Sequence, residues 1–258
     1  MRRLIHPALV LVMLFALFGC GSGSTMGLSA YRENISDLHD GVASGLGYAF
    51  ETLNSLRYDD YFGVLELQDI FEQAGAVFNL AGEEAAGMNP PPEVESLHAD
   101  LLDFYSDGEL DMEVMVDTTR FFEVVIPMLV DMENLALPQL ATEAEIEAIR
   151  AASAEDRETL QSYMEELRGF IPPENLEEYR GELMESFRSL DESISRLDQE
   201  ISPDDMSSLE RFKQDYQAAV AEVDSFWEEA VAYLRGLEER LDRLIEGGLE
   251  LALRIGEL

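Results

Sequence analysis

Residues 206–258 read MSSLERFKQDYQAAVAEVDSFWEEAVAYLRGLEERLDRLIEGGLELALRIGEL. With Val220 at heptad position a, the a positions hold Met206, Lys213, Val220, Trp227, Leu234, Leu241, Gly248 and Ile255. The d positions hold Leu209, Tyr216, Val223, Ala230, Leu237, Leu244, Leu251 and Leu258. All are apolar except Lys213 and Gly248, and a sustained repeat of 3.5 residues is typical of a helix that packs as in a coiled coil. The stretch predicts one long amphipathic helix at the C-terminus.

The preceding segment carries a similar seam, with apolar residues at Leu176, Leu183, Phe187, Leu190, Ile194, Leu197 and Ile201. Helical spacing recurs through the rest of the chain without strand-like alternation. Prolines stand beside the expected helix starts. We predict six helices, at about 28–57, 59–87, 91–137, 142–170, 174–201 and 204–258. The fold class is all-α, an elongated antiparallel helical bundle with an N-terminal helical region (28–138) and a C-terminal coiled-coil region (139–258).

The last helix decides the shape of the molecule. As a single straight helix it would be about 82 Å long, whereas a compact globule of this chain length has a radius of gyration near 18 Å. Glycine costs about 1 kcal/mol inside a helix, so Gly236 and the pair Gly247-Gly248 are the candidate break points. We expect a rod unless the helix breaks at one of them.

The N-terminus has the organisation of a secretory signal. Arg2 and Arg3 precede an apolar run from Ala8 to Phe18, which is followed by Gly19 and Cys20. This order of charged, apolar and small residues is typical of a signal peptide. A transmembrane helix needs about 20 apolar residues, and this run is too short. We predict that residues 1–19 are removed on export.

The segment Leu17-Phe18-Gly19-Cys20 resembles the lipobox of bacterial lipoproteins. The resemblance implies that Cys20, the single cysteine, becomes the first residue of the mature chain and carries fatty acyl chains such as palmitate. The protein would then be held by lipid in the cell envelope, at the outer membrane if the organism has two, because Gly21 rather than Asp follows the cysteine. The alternative is an ordinary signal peptide cleaved nearby, which would leave a free thiol.

Charge excludes one class of partner. Loss of residues 1–19 removes two of the 17 basic side chains and none of the 54 acidic ones, so the mature chain has a net charge of −39. Nucleic-acid binding draws on many Lys and Arg contacts, so a nucleic-acid partner is excluded. Anionic membrane surfaces should repel the body as well. Solubility, a salty habitat or a basic partner could each account for this charge.

Residues 20–27 are predicted to be the lipidated cysteine and a flexible tether. The segment Gly21 to Gly27 reads GSGSTMG, and seven such residues reach about 15 Å on average. That exceeds the screening length of roughly 8 Å at physiological salt. The tether would hold the acidic body away from the lipid headgroups.

The sequence lacks two common catalytic motifs. There is no Gly-rich loop followed by Lys and no G-x-S-x-G elbow. His39 and His98 are the histidines of the mature chain. The sequence therefore indicates no enzyme and no cofactor.

The segment most similar to a known metal-binding motif is Glu95-Ser96-Leu97-His98, a Glu-x-x-His sequence. Helical di-iron bundles use Glu-x-x-His twice, but Ser36 stands three residues before His39. Glu95 and His98 are therefore weak candidate metal ligands, and the simpler expectation for His98 is a partly exposed residue near a helix start.

Three other stretches could bind ligands. Residues 107–117, DGELDMEVMVD, alternate carboxylates but lack the EF-hand Gly and Glu, so we expect a solvated helix junction there rather than a divalent-cation site. Residues 121–130, FFEVVIPMLV, predict a fully buried helix kinked at Pro127. The methionines at helical spacings predict core packing rather than copper binding; they are Met112, Met115, Met128 and Met132.

Taken together, the sequence favours a lipid-anchored acidic scaffold or protein-interaction module that acts without catalysis, with an unidentified protein partner. The alternative is a module that binds a small molecule or a metal in a pocket between the helices around residues 121–132. A filled core there would favour the scaffold, and a pocket of about 300 Å³ or more lined by that stretch would favour the alternative.

Overall fold

The computed structural model describes residues 25–55, 61–132, 134–140, 145–202 and 207–258. The signal segment and Cys20 lie outside these residues, so their roles stay predictions. The α-helices of the described chain are α1 (Leu28–Ser55), α2 (Tyr61–Ala86), α3 (Glu95–Met132), α4 (Ile146–Gly169), α5 (Glu177–Glu200) and α6 (Ser207–Gly256). Short 3-10 turns precede α3, α4 and α5 at Pro92–Val94, Leu137–Gln139 and Glu174–Leu176. The predicted all-α class is confirmed, and the described residues contain no strand.

Four helices form the first half of the rod, which we call the proximal bundle because the described chain begins there. Helix α1 packs between α2 and α6, and α3 packs between the same two helices. The bundle uses the first part of α3 and the last part of α6, as the ion pairs Arg254–Asp100 and Arg240–Asp111 show. Helices α1 and α3 therefore face each other across the bundle.

The second half, the distal bundle, consists of α4, α5 and the first part of α6, with the end of α3 against them. Helix α5 packs between α4 and α6. The Tyr163 hydroxyl on α4 donates to Asp131 on α3 at 2.7 Å, and the Tyr216 hydroxyl on α6 donates to the Met132 carbonyl at 2.8 Å. Helix α6 of the predicted C-terminal region thus completes the proximal bundle, so the two regions do not pack separately.

Helix α6 is continuous over 50 residues, or about 75 Å. It passes through Gly236, Gly247 and Gly248 without a break. The last two glycines face the Phe104 ring of α3, and an added Cβ would lie 3.3 Å from that ring at Gly248 and at an ordinary contact distance of 3.5 Å at Gly247. Burial of the heptad seam on both sides of these glycines outweighs their low helix propensity. The rod-like alternative is the one the structure adopts.

Helix α3 also runs unbroken, through Pro127. Gly108 lies directly under the ring of Phe78 from α2, and an added Cβ would overlap that ring. The carboxylate-rich residues 107–117 are therefore in the middle of a helix, and the expected helix junction there is wrong. The cause is the apolar face that Met112, Met115 and Val116 bury in the same segment.

The last residues of the predicted tether, Met26 and Gly27, belong to the folded bundle. The Met26 backbone N–H donates to the Asn89 carbonyl at 3.0 Å, and the Met26 side chain packs against the core. Gly27 is followed at once by α1. The glycine-serine composition gave no sign of this contact, because Asn89 lies in the loop between α2 and α3.

Candidate functional site

The predicted site residues that the structure describes, Glu95 and His98, differ in their exposure. Cys20 lies outside the described residues, the Glu95 side chain is exposed, and His98 is buried with 8% of its surface accessible. Nδ1 of His98 is 3.2 Å from the hydroxyl oxygen of Tyr31 on α1. The expectation of a partly exposed His98 is wrong, because α1 crosses the bundle opposite α3 and covers it.

Burial fixes the protonation of this pair. It lowers the pKa of His98 and raises the pKa of Tyr31 to about 12, since a low-dielectric interior disfavours the charged form of each group. Both groups are neutral near pH 7, and Nδ1 of the ring is engaged in the hydrogen bond with the phenol hydroxyl. A nitrogen occupied in this way is not free to bind a metal.

A second His–Tyr pair lies one level further along the same bundle. Nε2 of His39 is 2.7 Å from the carbonyl oxygen of Gly248, and because a carbonyl only accepts, the ring hydrogen is on Nε2. Nδ1 lies 3.4 Å from the Tyr105 hydroxyl oxygen, within hydrogen-bond distance. Burial raises the pKa of Tyr105. The pair joins α1, α3 and α6.

These contacts make the two pairs a polar layer inside an apolar bundle. Tyr31 and Tyr105 are fully buried, and their hydroxyl groups satisfy the two histidine rings. Sequence reasoning missed both tyrosines as partners, although each stands at a core position of its helix. The pairing depends on which helices face each other, which periodicity does not determine. The layer can position helices but offers no open ligand site.

The carboxylates of residues 107–117 and the four methionines all lie on helix α3. Within the described ranges, no three or more His, Cys, Asp or Glu side chains come close enough to hold a metal ion. In the 107–117 segment, Asp111 pairs with Arg240 at 2.6 Å, and Glu109 accepts from Asn79 at 2.8 Å. A helix turns 100° per residue, so alternate carboxylates point in different directions. The four methionines are all buried in the core.

The apolar stretch at 121–130 is mostly core, as predicted. Phe121 and Phe122 are fully buried and meet the ring of Tyr179 edge-on at 5.9 and 5.7 Å. Full burial of the stretch is wrong, since Val130 is 49% exposed on the outer face of α3. The interior beside this stretch is filled by aromatic rings.

A cleft of about 470 Å³ lies next to that core, at the waist where the two bundles meet. Its walls are polar and apolar groups of α3, α6 and the turn before α5: Val114, Thr118, Asn175, Glu229, Ala232, Tyr233, Gly236, Leu237 and Arg240. The stretch 121–132 contributes none of them. The predicted pocket around residues 121–132 is therefore not at this cleft, which lies on the neighbouring turns of α3.

Carboxyl groups with a raised pKa are potential acid–base groups. Burial raises the pKa of Glu84 and of Asp156, but Glu84 is on α2 in the proximal bundle and Asp156 is on α4 in the distal one. Asp156 accepts from the backbone N–H groups of Ala136 and Leu137 at 2.7 and 2.8 Å. These two hydrogen bonds hold residues 136 and 137 of the α3–α4 loop against α4.

Comparison with known proteins assigns this chain to no family. No family model matches this sequence, and no curated protein and no solved structure is significantly similar to it. Across the part of the chain that is described, no helix is long and apolar enough to cross a membrane.

The remaining site-like feature is the proximal tip, which we define as residues 25–32, 87–94 and 249–258. The Met26 backbone N–H is hydrogen-bonded to the Asn89 carbonyl, and the Arg32 side chain donates to the Gly256 carbonyl at 2.9 Å. The tip therefore contains the first described residues, the α2–α3 loop and the chain's C-terminus. It is the end of the rod that lies nearest Cys20 along the sequence.

Proposed function

We propose that this chain is a lipid-anchored, non-enzymatic scaffold of the bacterial cell envelope, and that it presents its distal bundle to a protein partner. The observation that carries this proposal is the single 50-residue helix α6. It begins in the distal bundle and ends at the proximal tip, beside the segment that leads back to Cys20. A rod attached at one end holds its other end at a distance from the membrane.

Contacts between α3 and α6 support the rigidity that such a role needs. Besides their two ion pairs in the proximal bundle, the Lys213 ammonium donates to the Leu140 carbonyl at 2.8 Å just beyond the end of α3. These contacts follow one antiparallel register along both helices. Bending the rod at its waist would disturb both bundles at once, so the two halves move together.

The net charge of −39 fits the same role. Negative charges along a rod repel neighbouring copies and anionic surfaces, which keeps the distal bundle in solution. Contact with a partner would then use local surfaces of α4, α5 and the start of α6, where an excess of carboxylates favours a basic partner surface.

The anchor is tested first. We expect Cys20→Ala to remove the protein from the membrane fraction or leave it as unprocessed precursor, and mass spectrometry of the wild-type N-terminal peptide to find acyl chains on Cys20. A Cys20→Ala protein that is correctly processed and still membrane-bound would contradict a lipid anchor at this residue.

The scaffold role is tested by crosslinking in intact cells. A photo-crosslinking residue replaces the exposed Glu185 on α5 of the distal bundle, and the matched control replaces the exposed Glu83 on α2 of the proximal bundle. Both changes remove one carboxylate. We expect a discrete protein adduct from position 185 and none from position 83. Absence of any discrete adduct across exposed positions of α4 and α5 would overturn the proposal.

The waist cleft supports a second candidate, binding of a small molecule. Its volume of about 470 Å³ lies in the range of ligand sites, and Thr118, Glu229 and Arg240 provide polar groups. Ala232→Trp would fill the cleft from its exposed wall. We expect a compound that raises the melting temperature of the wild type to leave this variant unchanged, and equal shifts in both proteins would place the compound elsewhere.

A further inference from the structure

We propose that the proximal tip seats in the headgroup layer of the bilayer that holds the Cys20 lipid, through Leu249 and Leu253 on the outer face of α6. This inference rests on the proposed lipid anchor. It adds a second, non-covalent membrane contact and gives the rod a defined end in the membrane.

The contact surface is an exposed apolar stripe at the end of α6. Leu249 is 62% exposed and Leu253 is 72% exposed. With Ala252 and Gly256, which are also exposed, they follow the spacing i, i+3, i+4, i+7 of one helix face. Neighbouring exposed leucines on one helix face form a contiguous apolar patch, and such patches mark contact surfaces.

The chain outside the described residues limits where that occupant can be. Five residues lie between Cys20 and Met26, so their Cα atoms are six steps and at most about 21 Å apart. Met26 is hydrogen-bonded through its backbone N–H to the α2–α3 loop of the tip. The Arg32 contact to the Gly256 carbonyl places the end of α6 beside the start of α1. A lipid on Cys20 therefore keeps the stripe close to the bilayer surface.

The stripe is confined to the last two turns of the helix. From Leu249 to Gly256 the helix rises about 10 Å, so a rod that stands on its tip would place only this end within the headgroup layer. One and two turns earlier on the same face stand the exposed carboxylates of Glu246 and Asp242. The apolar stripe therefore does not continue along α6 toward the waist.

Charge at the tip determines which lipids suit it. Glu250 and Glu257 are exposed beside the stripe, and Arg254 pairs with Asp100 at 2.6 Å. The uncompensated charge is negative, so zwitterionic headgroups are favoured and anionic lipids are disfavoured. A tether of this length lets the tip reach the headgroups but does not by itself hold it there, so the contact depends on the stripe.

The test places an environment-sensitive fluorophore on Leu253→Cys in the mature lipidated protein. Acylation of Cys20 leaves the new cysteine as the single reactive thiol. The matched control is Leu110→Cys on α3, since Leu110 is 57% exposed but lies further along the rod. Both proteins are reconstituted into phosphatidylcholine vesicles, with or without phosphatidylglycerol, and with brominated acyl chains as quencher.

We expect blue-shifted emission at position 253 and loss of most of it to the brominated lipid, with neither effect at position 110. Phosphatidylglycerol should weaken both effects at 253. Water-like emission at 253 in protein that still sediments with vesicles would overturn the inference and leave the anchor intact. Failure to sediment would instead overturn the proposed anchor. In the unlipidated Cys20→Ser background, a blue shift at 253 that grows with protein concentration would identify a second copy as the occupant and also overturn it.

Discussion

His98 and Tyr31 meet inside the proximal bundle, where burial lowers the pKa of the histidine. The folded state then holds the ring neutral, while the unfolded state binds a proton below its ordinary pKa of about 6.5. Protonation favours unfolding, so His98 lowers the free energy of unfolding as the pH falls through 6.5. The sequence identified His98 but not this environment, because Tyr31 is 67 residues away.

We therefore expect the free energy of unfolding of the wild type to fall more between pH 7.5 and pH 5.5 than that of His98→Phe. Urea denaturation at both pH values measures it. The many carboxylates titrate alike in the two proteins and cancel in the comparison. Parallel pH profiles would contradict a neutral buried His98.

Two glycines give a matched test of packing. Gly108→Ala pushes a Cβ into the buried Phe78 ring, whereas a Cβ at Gly41 on α1 meets nothing within 4 Å. We expect Gly108→Ala to destabilise the fold by about 1–3 kcal/mol and Gly41→Ala to stabilise it by about 0.5–1 kcal/mol. Chemical denaturation measures both, and an increase in stability on Gly108→Ala would contradict the contact.

At the scale of elements, the sequence located the helices well. The last helix was expected at 204–258 and spans Ser207–Gly256, because a long heptad seam gives a strong signal. The seven seam positions before it are all buried. What the sequence could not provide was the pairing of helices. An apolar face shows that a helix is covered, but not which helix covers it.

The α3–α4 connection shows the same limit for polar residues. Asp156 reads as one more acid in a charged helix, but it is buried and accepts from two backbone N–H groups of the preceding loop. Such a role leaves no sign in local periodicity, since the loop lies about 20 residues earlier. The carboxylate holds residues 136 and 137, which follow α3, against α4.

Asp156→Ala leaves both N–H groups without that acceptor. We expect a loss of about 2–4 kcal/mol, since each unsatisfied buried donor costs about 1–3 kcal/mol. The control is Glu155→Ala, because Glu155 is the exposed neighbour on the same helix. Equal melting temperatures for the two variants in calorimetry would show that the carboxylate does not hold the loop.

At the scale of the whole molecule, shape follows from two shared helices. Helices α3 and α6 belong to both bundles, so the bundles lie end to end rather than side by side. The sequence predicted an elongated bundle and left open whether the last helix is continuous, since a compact molecule would need a break at Gly236 or Gly247-Gly248. The close approach of Phe104 to the last two glycines is a tertiary contact, and it favours the unbroken helix.

Small-angle X-ray scattering measures that shape directly. A rod as long as α6 has a radius of gyration of about 22 Å, whereas a compact globule of the mature length has about 18 Å. We expect the larger value for the unlipidated Cys20→Ser protein, with the skewed distance distribution of an elongated particle. Because the net charge is high, the measurement is repeated at several salt concentrations to remove repulsion between molecules. A value near 18 Å would mean that α6 folds back on itself, and the rod that supports the scaffold proposal would not exist in solution.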